Sequence, residues 1–230
     1  MDSKLKLIFV HVPKTGGNSV RSSIEDKFST SKVLRDYSDR PDDPSSPMNI
    51  DPAGFLARSA LSRYADLTGK AAVVGHFWIR KYDDVAADLR ATILRDPLDR
   101  TMSHYFYWMK REGHGQLLHD HVRQHNLSLV EFARLPTIRW FYTQTFFRDV
   151  DMGQFDVVGR FDKYVKDWSA LLRDIGLGAV ARVRHLNATA GLDELYAARR
   201  HEILTDETVM ARLRDLLADD IKFYERHARD

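Results

Sequence analysis

Leu5-Lys6-Leu7-Ile8-Phe9-Val10-His11-Val12-Pro13-Lys14-Thr15-Gly16-Gly17-Asn18-Ser19 is the stretch on which the fold turns. Leu5 to His11 has the make-up of a buried strand: short, apolar and β-branched toward its end. Pro13 to Gly17 cannot continue it and reads as a loop. From Ser19 to Phe28 the pattern becomes helical. A strand that passes through a glycine loop into a helix is a ready anion site. The first helical N–H groups have no partner within the helix, and the helix dipole favours negative charge there. Gly16 and Gly17 let the backbone come close to a phosphate, Lys14 adds a mobile cation and Ser19 a hydroxyl. The lysine precedes the glycines, so this is not the nucleotide loop in which Gly-Lys-Ser/Thr follows a first glycine by four residues.

Working outward, the chain alternates strands and helices. Residues 36 to 52 carry four prolines and many turn formers, and read as a loop or mobile lid. Ala53 to Leu67 has a helical apolar pattern with Gly69 just beyond it. Ala71 to Gly75 is a second strand, Ile79 to Leu89 a helix, and Ala91 to Leu94 a third strand. Asp96 suits the N-cap and Pro97 the first position of a helix that runs to about Arg111. Residues 113 to 150 read as a helical insertion, broken near 126–128 and 135–137. Phe155 to Gly159 is a fourth strand, followed by a helix from Asp162 to Ile175. Val180 to Leu186 is a candidate fifth strand. Asp193 to His227 is helical, with breaks at 204–205 and near 218. This order predicts an α/β fold of three layers, P-loop-like, with a central, mainly parallel sheet flanked by helices. One domain over residues 1–230 is expected.

The bulk numbers narrow the class. The 230 residues are 43% hydrophobic and 30% charged, with a net charge of +2 and no cysteine. A chain of this size buries roughly 70% of its unfolded surface and needs no disulfide or metal staple. The absence of cysteine excludes a zinc–thiolate site and a cysteine nucleophile. The charges are interspersed, without the dense basic patch of a nucleic-acid binder. Leu7 to Val10 is too short for a signal or membrane segment. A soluble, cytoplasmic protein is expected.

A second dense motif is Leu94-Arg95-Asp96-Pro97-Leu98-Asp99-Arg100-Thr101-Met102-Ser103-His104-Tyr105. Arg95 stands at a strand's C-terminal end, where open α/β sheets place ligands. Arg100 and Ser103 are three apart and share a helix face. Two anion sites at two strand ends suit a nucleotide with two separated phosphate groups. The plainer alternative is that Arg95 pairs with Asp99 and only caps the helix.

His11 to Ser19 resembles the 5′-phosphosulfate loop of sulfotransferases that use 3′-phosphoadenosine 5′-phosphosulfate. Leu94 to Tyr105, with its eight-residue step from Arg95 to Ser103, resembles their 3′-phosphate motif. The carbohydrate type, including the uronosyl 2-O-sulfotransferases, is the most similar. Val74-Gly75-His76-Phe77, Val158-Gly159-Arg160-Phe161 and Leu186-Asn187 resemble further family landmarks. The resemblance implies that Lys14 contacts the sulfuryl group and bridging oxygen. The backbone of Thr15, Gly16, Gly17, Asn18 and Ser19 would hold the 5′-phosphate. Arg95 and Ser103 would hold the 3′-phosphate, Arg184 and Asn187 would complete the pocket, and His76 would be the general base. Asn18 stands where the family commonly has Thr or Ser. The expected donor is 3′-phosphoadenosine 5′-phosphosulfate, the product adenosine 3′,5′-bisphosphate, and no metal is expected.

The expected partner is a hydroxyl-bearing acceptor, with a carbohydrate or small metabolite as the leading classes. A nucleotide kinase or phosphotransferase and a non-catalytic nucleotide- or glycan-binding module are the competing readings. His114, His119, His121 and His125 invite a metal site, but only 121 and 125 share a helix face and nothing completes a zinc set. The aromatic runs Tyr105 to Trp108 and Trp140 to Phe147 read as core.

Overall fold

The structure is a computed structural model and describes residues 4–111, 116–166, 168–178 and 194–228. Five strands form one sheet: β1 (Leu7–Val10), β2 (Val33–Asp36), β3 (Ala72–Gly75), β4 (Arg90–Leu94) and β5 (Val157–Arg160). Every pairing is parallel, and the spatial order is β2-β3-β1-β4-β5. Twelve helices, α1 (Gly17–Phe28), α2 (Pro47–Ile50), α3 (Pro52–Leu67), α4 (Pro97–Lys110), α5 (Leu117–Gln124), α6 (Leu129–Arg134), α7 (Pro136–Arg139), α8 (Phe161–Tyr164), α9 (Trp168–Asp174), α10 (Glu194–Thr205), α11 (Glu207–Leu216) and α12 (Ala218–His227), accompany it among the described residues. A π-helical turn covers Phe141–Phe146.

The strands are apolar on both faces because both faces are covered. Leu7 and Phe9 of β1 point into one core with Val20 and Ile24 of α1 and Leu171 and Leu172 of α9. Ile8 and Val10 point into the other core, with Met102 and Trp108 of α4, Phe132 of α6, and Phe141, Tyr142 and Phe146 of the π-helix. This is the three-layer α/β arrangement that the alternation of strands and helices predicts. The helices of 117–146 supply much of one core.

Several local expectations needed correction. Val33–Asp36 is a strand that its short, half-polar sequence concealed; β2 lies at the sheet edge. It pairs with β3 so closely that a Cβ on Gly75 would lie 1.6 Å from the carbonyl oxygen of Asp36. Residues 36–52 are no loose lid. Met48 is fully buried, and Asp36 and Asp39 are buried around Lys81, which forms ion pairs with both. Trp78 N–H donates to Asp39 at 3.0 Å, and the Tyr82 hydroxyl donates to Asp36 at 2.6 Å. This network explains why Ile79 to Leu89 is not a full helix. Only Ile79–Tyr82 makes a 3-10 turn, after which the chain feeds β4. The helix expected over 162–175 is two helices, α8 and α9. Val180 to Leu186 lies outside the described residues.

Candidate functional site

The site forms where the chain reverses its direction of travel across the sheet. After β1 the chain moves by way of β2 to β3 on one side, then crosses to β4 on the other. The helix after β1 covers one face and the helix after β4 covers the opposite one. The switch point therefore falls between the C-terminal ends of β1 and β4, the crevice position at which open α/β sheets bind ligands. Lys14 follows β1 and Arg95 follows β4. The Arg95 guanidinium donates to the Lys14 carbonyl at 3.3 Å.

The loop has left-handed backbone at Lys14 (φ 69°) and at Gly16 (φ 79°). For lysine this conformation costs roughly 1–2 kcal/mol, and such strain persists only where the surroundings enforce it. Two contacts enforce it. The Thr15 hydroxyl donates to the Val12 carbonyl at 2.8 Å. The His11 ring lies under the loop, and a Cβ on Gly17 would lie 1.8 Å from the Cδ2 of His11. The helix that follows has no side-chain cap and no acidic residue in its first turn. Its leading N–H groups, at Gly17 and Asn18, are therefore offered to an anion. The Thr15 hydroxyl is taken up in closing the loop, and Ser19 is buried.

Lys14 Nζ sits 4.0 Å from the centroid of the Tyr107 ring, and Arg111 approaches the same ring at 4.8 Å. Tyr107 is one turn beyond Ser103 on α4, so Lys14 rests over the helix that carries Ser103. Burial pushes the Lys14 ammonium down to about 8, with Arg95 and Arg111 adding to the effect. Arg95 is held in turn by Tyr142 on the π-helix. That hydroxyl donates to the Arg95 carbonyl at 2.7 Å and accepts from Arg95 N–H at 3.0 Å. The Arg95 guanidinium also stacks over Phe161 at 4.8 Å. Tyr142 is anchored by buried Asp220 of α12, which accepts from the N–H groups of Tyr142 and Thr143.

Arg100 is turned into the core rather than toward a ligand. It is fully buried, lies 3.7 Å from the Phe141 ring and donates to the Thr101 hydroxyl. The alternative pairing of Arg95 with Asp99 is not formed either, as Asp99 pairs with Arg200 at 2.7 Å. Asp96 caps α4 as expected, accepting from Asp99 N–H.

His76 follows β3 directly. Its ring contacts those of His11 at 4.5 Å and Tyr37 at 4.7 Å. Burial, reinforced by the Arg21 charge, lowers it to about 4, so it is neutral at neutral pH. His11 is lowered well below its usual value, again chiefly by burial. His104 is core: its ring meets Trp108, Phe132 and Phe141 edge-on. Of the histidine run, His119 is buried and bonded to the Trp108 carbonyl, while His121 and His125 contact each other on one face. His114, Arg184 and Asn187 lie outside the described residues. Among the described residues, no group of three or more His, Asp or Glu is placed to hold a metal ion.

Sequence reasoning missed Tyr107, Arg111, Tyr142, Tyr37 and Arg21. The step of four from Ser103 to Tyr107 was a usable signal. The others come together only through the tertiary fold.

No protein-family model matches the chain, and no curated protein matches it. Among solved structures, the mouse sulfotransferase SULT7A1 complexed with PAP is similar at 12% sequence identity and a TM-score of 0.37. The match covers 79% of this chain and 63% of that one, so this chain spans less than two thirds of that protein's length. What the site can do follows from its own residues. No helix among the described residues is long and apolar enough to cross a membrane.

Proposed function

We propose that this chain is a sulfotransferase that moves the sulfuryl group of 3′-phosphoadenosine 5′-phosphosulfate to a hydroxyl acceptor, a carbohydrate or small metabolite. The observation that carries this reading is the meeting of Lys14 and Arg95 at one crevice, each from a different strand end. Lys14 leads into an uncapped helix N-terminus, which suits the 5′-phosphosulfate. Arg95, with Ser103 on the following helix, suits the 3′-phosphate, since a guanidinium fork matches phosphate oxygens. Lys14, Thr15, Gly16, Gly17, Asn18 and Ser19 form the first half of the nucleotide site. Arg184 and Asn187 are proposed for the second half on the resemblance alone. One domain over residues 1–230 is part of the same proposal.

In the transfer, an acceptor oxygen forms a bond to sulfur while the bond from sulfur to the 5′-phosphate oxygen breaks. The acceptor proton passes to His76 Nδ1: the ring is neutral and so offers a lone pair, and Nε2 is sealed from solvent. Lys14 stabilises the charge that grows on the leaving phosphate, the electrostatic term that dominates this class of reaction.

The lysine-before-glycine order argues against a magnesium-dependent kinase. A thermal-shift titration separates the readings. Adenosine 3′,5′-bisphosphate without metal should stabilise the protein, by about 2.7 kcal/mol at a hundredfold excess over its Kd. Selective stabilisation by ATP with magnesium would overturn the proposal. Stabilisation by the bisphosphate, with no transfer to any acceptor in a labelled-donor screen, would reduce the protein to a binding module.

A further inference from the structure

Strand register brings three rings together at the sheet's C-terminal edge. Val10 of β1 and Asp36 of β2 both pair with Gly75 of β3. The next residue of each strand is therefore His11, Tyr37 and His76, side by side. Among the described residues His76 has no hydrogen-bond partner, and its Nε2 is sealed from solvent. A catalytic histidine is ordinarily oriented by a hydrogen bond from one ring nitrogen. Here ring contacts do that work: Tyr37 at 4.7 Å and 61°, His11 at 4.5 Å and 80°, and Phe146 more distantly at 6.4 Å. Tyr37 is itself fixed, because its hydroxyl pairs with His11 Nδ1 at 3.0 Å.

We propose that Tyr37 is a positioning residue, which packs its ring against His76 and, tied to His11, holds that imidazole in the orientation that accepts the proton. The proposal rests on the sulfotransferase reading with His76 as base. Edge-to-face ring contacts of this kind are directional. The Tyr37 ring also shields His76 from water. The charged and titratable groups around His76 are Arg21 from α1, His11 from the segment after β1, and His104 from α4. None is acidic, and of the three only Arg21 is charged at neutral pH, so burial and the Arg21 cation act in the same direction and keep the ring neutral.

The test is a 15N-histidine NMR titration of the whole chain, with the His76 signal assigned by its loss in His76→Ala. In the native protein His76 should stay neutral down to about pH 5. In Tyr37→Ala water reaches the ring, and its titration should move up by about one pH unit or more. Tyr37→Phe keeps the ring and should shift it less. Tyr37→Leu keeps bulk and serves if the alanine variant does not fold. With an accepted acceptor in hand, Tyr37→Ala should lower kcat about tenfold or more while the donor KM stays within about twofold. An unchanged His76 titration in Tyr37→Ala, or in Tyr37→Leu where the alanine variant does not fold, would overturn the proposal. Stabilisation by adenosine 3′,5′-bisphosphate in the native protein and variants is recorded alongside. Its absence in the native protein counts against the sulfotransferase reading, whereas an unmoved titration with stabilisation intact counts against Tyr37 alone.

Discussion

Arg95 and Lys14, 81 residues apart, touch through a guanidinium N–H and a main-chain carbonyl at 3.3 Å. The bond ties the end of β4 to the strained turn after β1. It also means that the two cations are not independent: Arg95 helps to depress the Lys14 ammonium that it supports. A ligand that brings negative charge to this point relieves both.

Protonation should therefore be linked to binding at Lys14. In the free protein the ammonium lies at about 8 instead of 10.5. A folded value below the unfolded one makes Lys14 a destabilising group below pH 8, relieved as pH rises from about 8 toward 10.5. An anionic ligand favours the charged form and raises the value. Binding of adenosine 3′,5′-bisphosphate at pH 8 should thus take up about half a proton, and affinity should weaken above that pH. Calorimetry in buffers of different ionisation enthalpy measures the uptake, and Lys14→Met should abolish it. The same variant should lower transfer about a hundred- to a thousandfold.

Gly17→Ala should damage both fold and site. The new Cβ meets the His11 ring at 1.8 Å, so the ring or the loop must move. Overpacking of this kind costs about 1–3 kcal/mol. Urea denaturation should show the loss, and bisphosphate stabilisation should shrink with it. His11→Ala in the same chain should restore part of the stability, because it removes the colliding group. A double variant no more stable than Gly17→Ala would speak against the clash.

Tyr142→Phe should weaken the grip on a 3′-phosphate while leaving the 5′ end alone. The change removes two hydrogen bonds to the main chain of Arg95, worth about 1–3 kcal/mol where the partners are buried. Affinity for adenosine 3′,5′-bisphosphate should fall about tenfold. Affinity for adenosine 5′-monophosphate should change by less than about twofold. Equal losses for the two ligands would show that Tyr142 acts on the whole site.

Lys81→Met should be among the more damaging substitutions outside the crevice. It leaves the buried Asp36 and Asp39 carboxylates without their shared cation. Breaking a buried ion pair from one side costs about 3–5 kcal/mol. Adding Asp39→Asn should recover part of that loss. Urea midpoints of the single and double variants measure both effects, and a near-native midpoint for Lys81→Met would refute the account of residues 36–52 as a packed segment.

By itself the sequence determined the covered parallel sheet, since Leu7–Val10 and Ala72–Gly75 are runs that only two-sided burial explains. It determined the loop from Lys14 to Ser19, because the glycines permit the left-handed turn that joins strand to helix. It also determined the cap at Asp96, where side-chain chemistry acts on its own neighbours. These are local effects, set by residues within a few positions of one another. Tertiary structure alone decided which polar groups serve the crevice and which serve the core. Arg100 looks like Arg95 in sequence, yet packing against Phe141 buries it. Half-polar β2 became a strand because the edge of β3 offered it a ladder. Tyr37, His76 and His11 became neighbours because register, a non-local property, aligned three strand ends on Gly75. Tyr142 reached Arg95 because Asp220, 78 residues beyond it, fixes the turn that carries it.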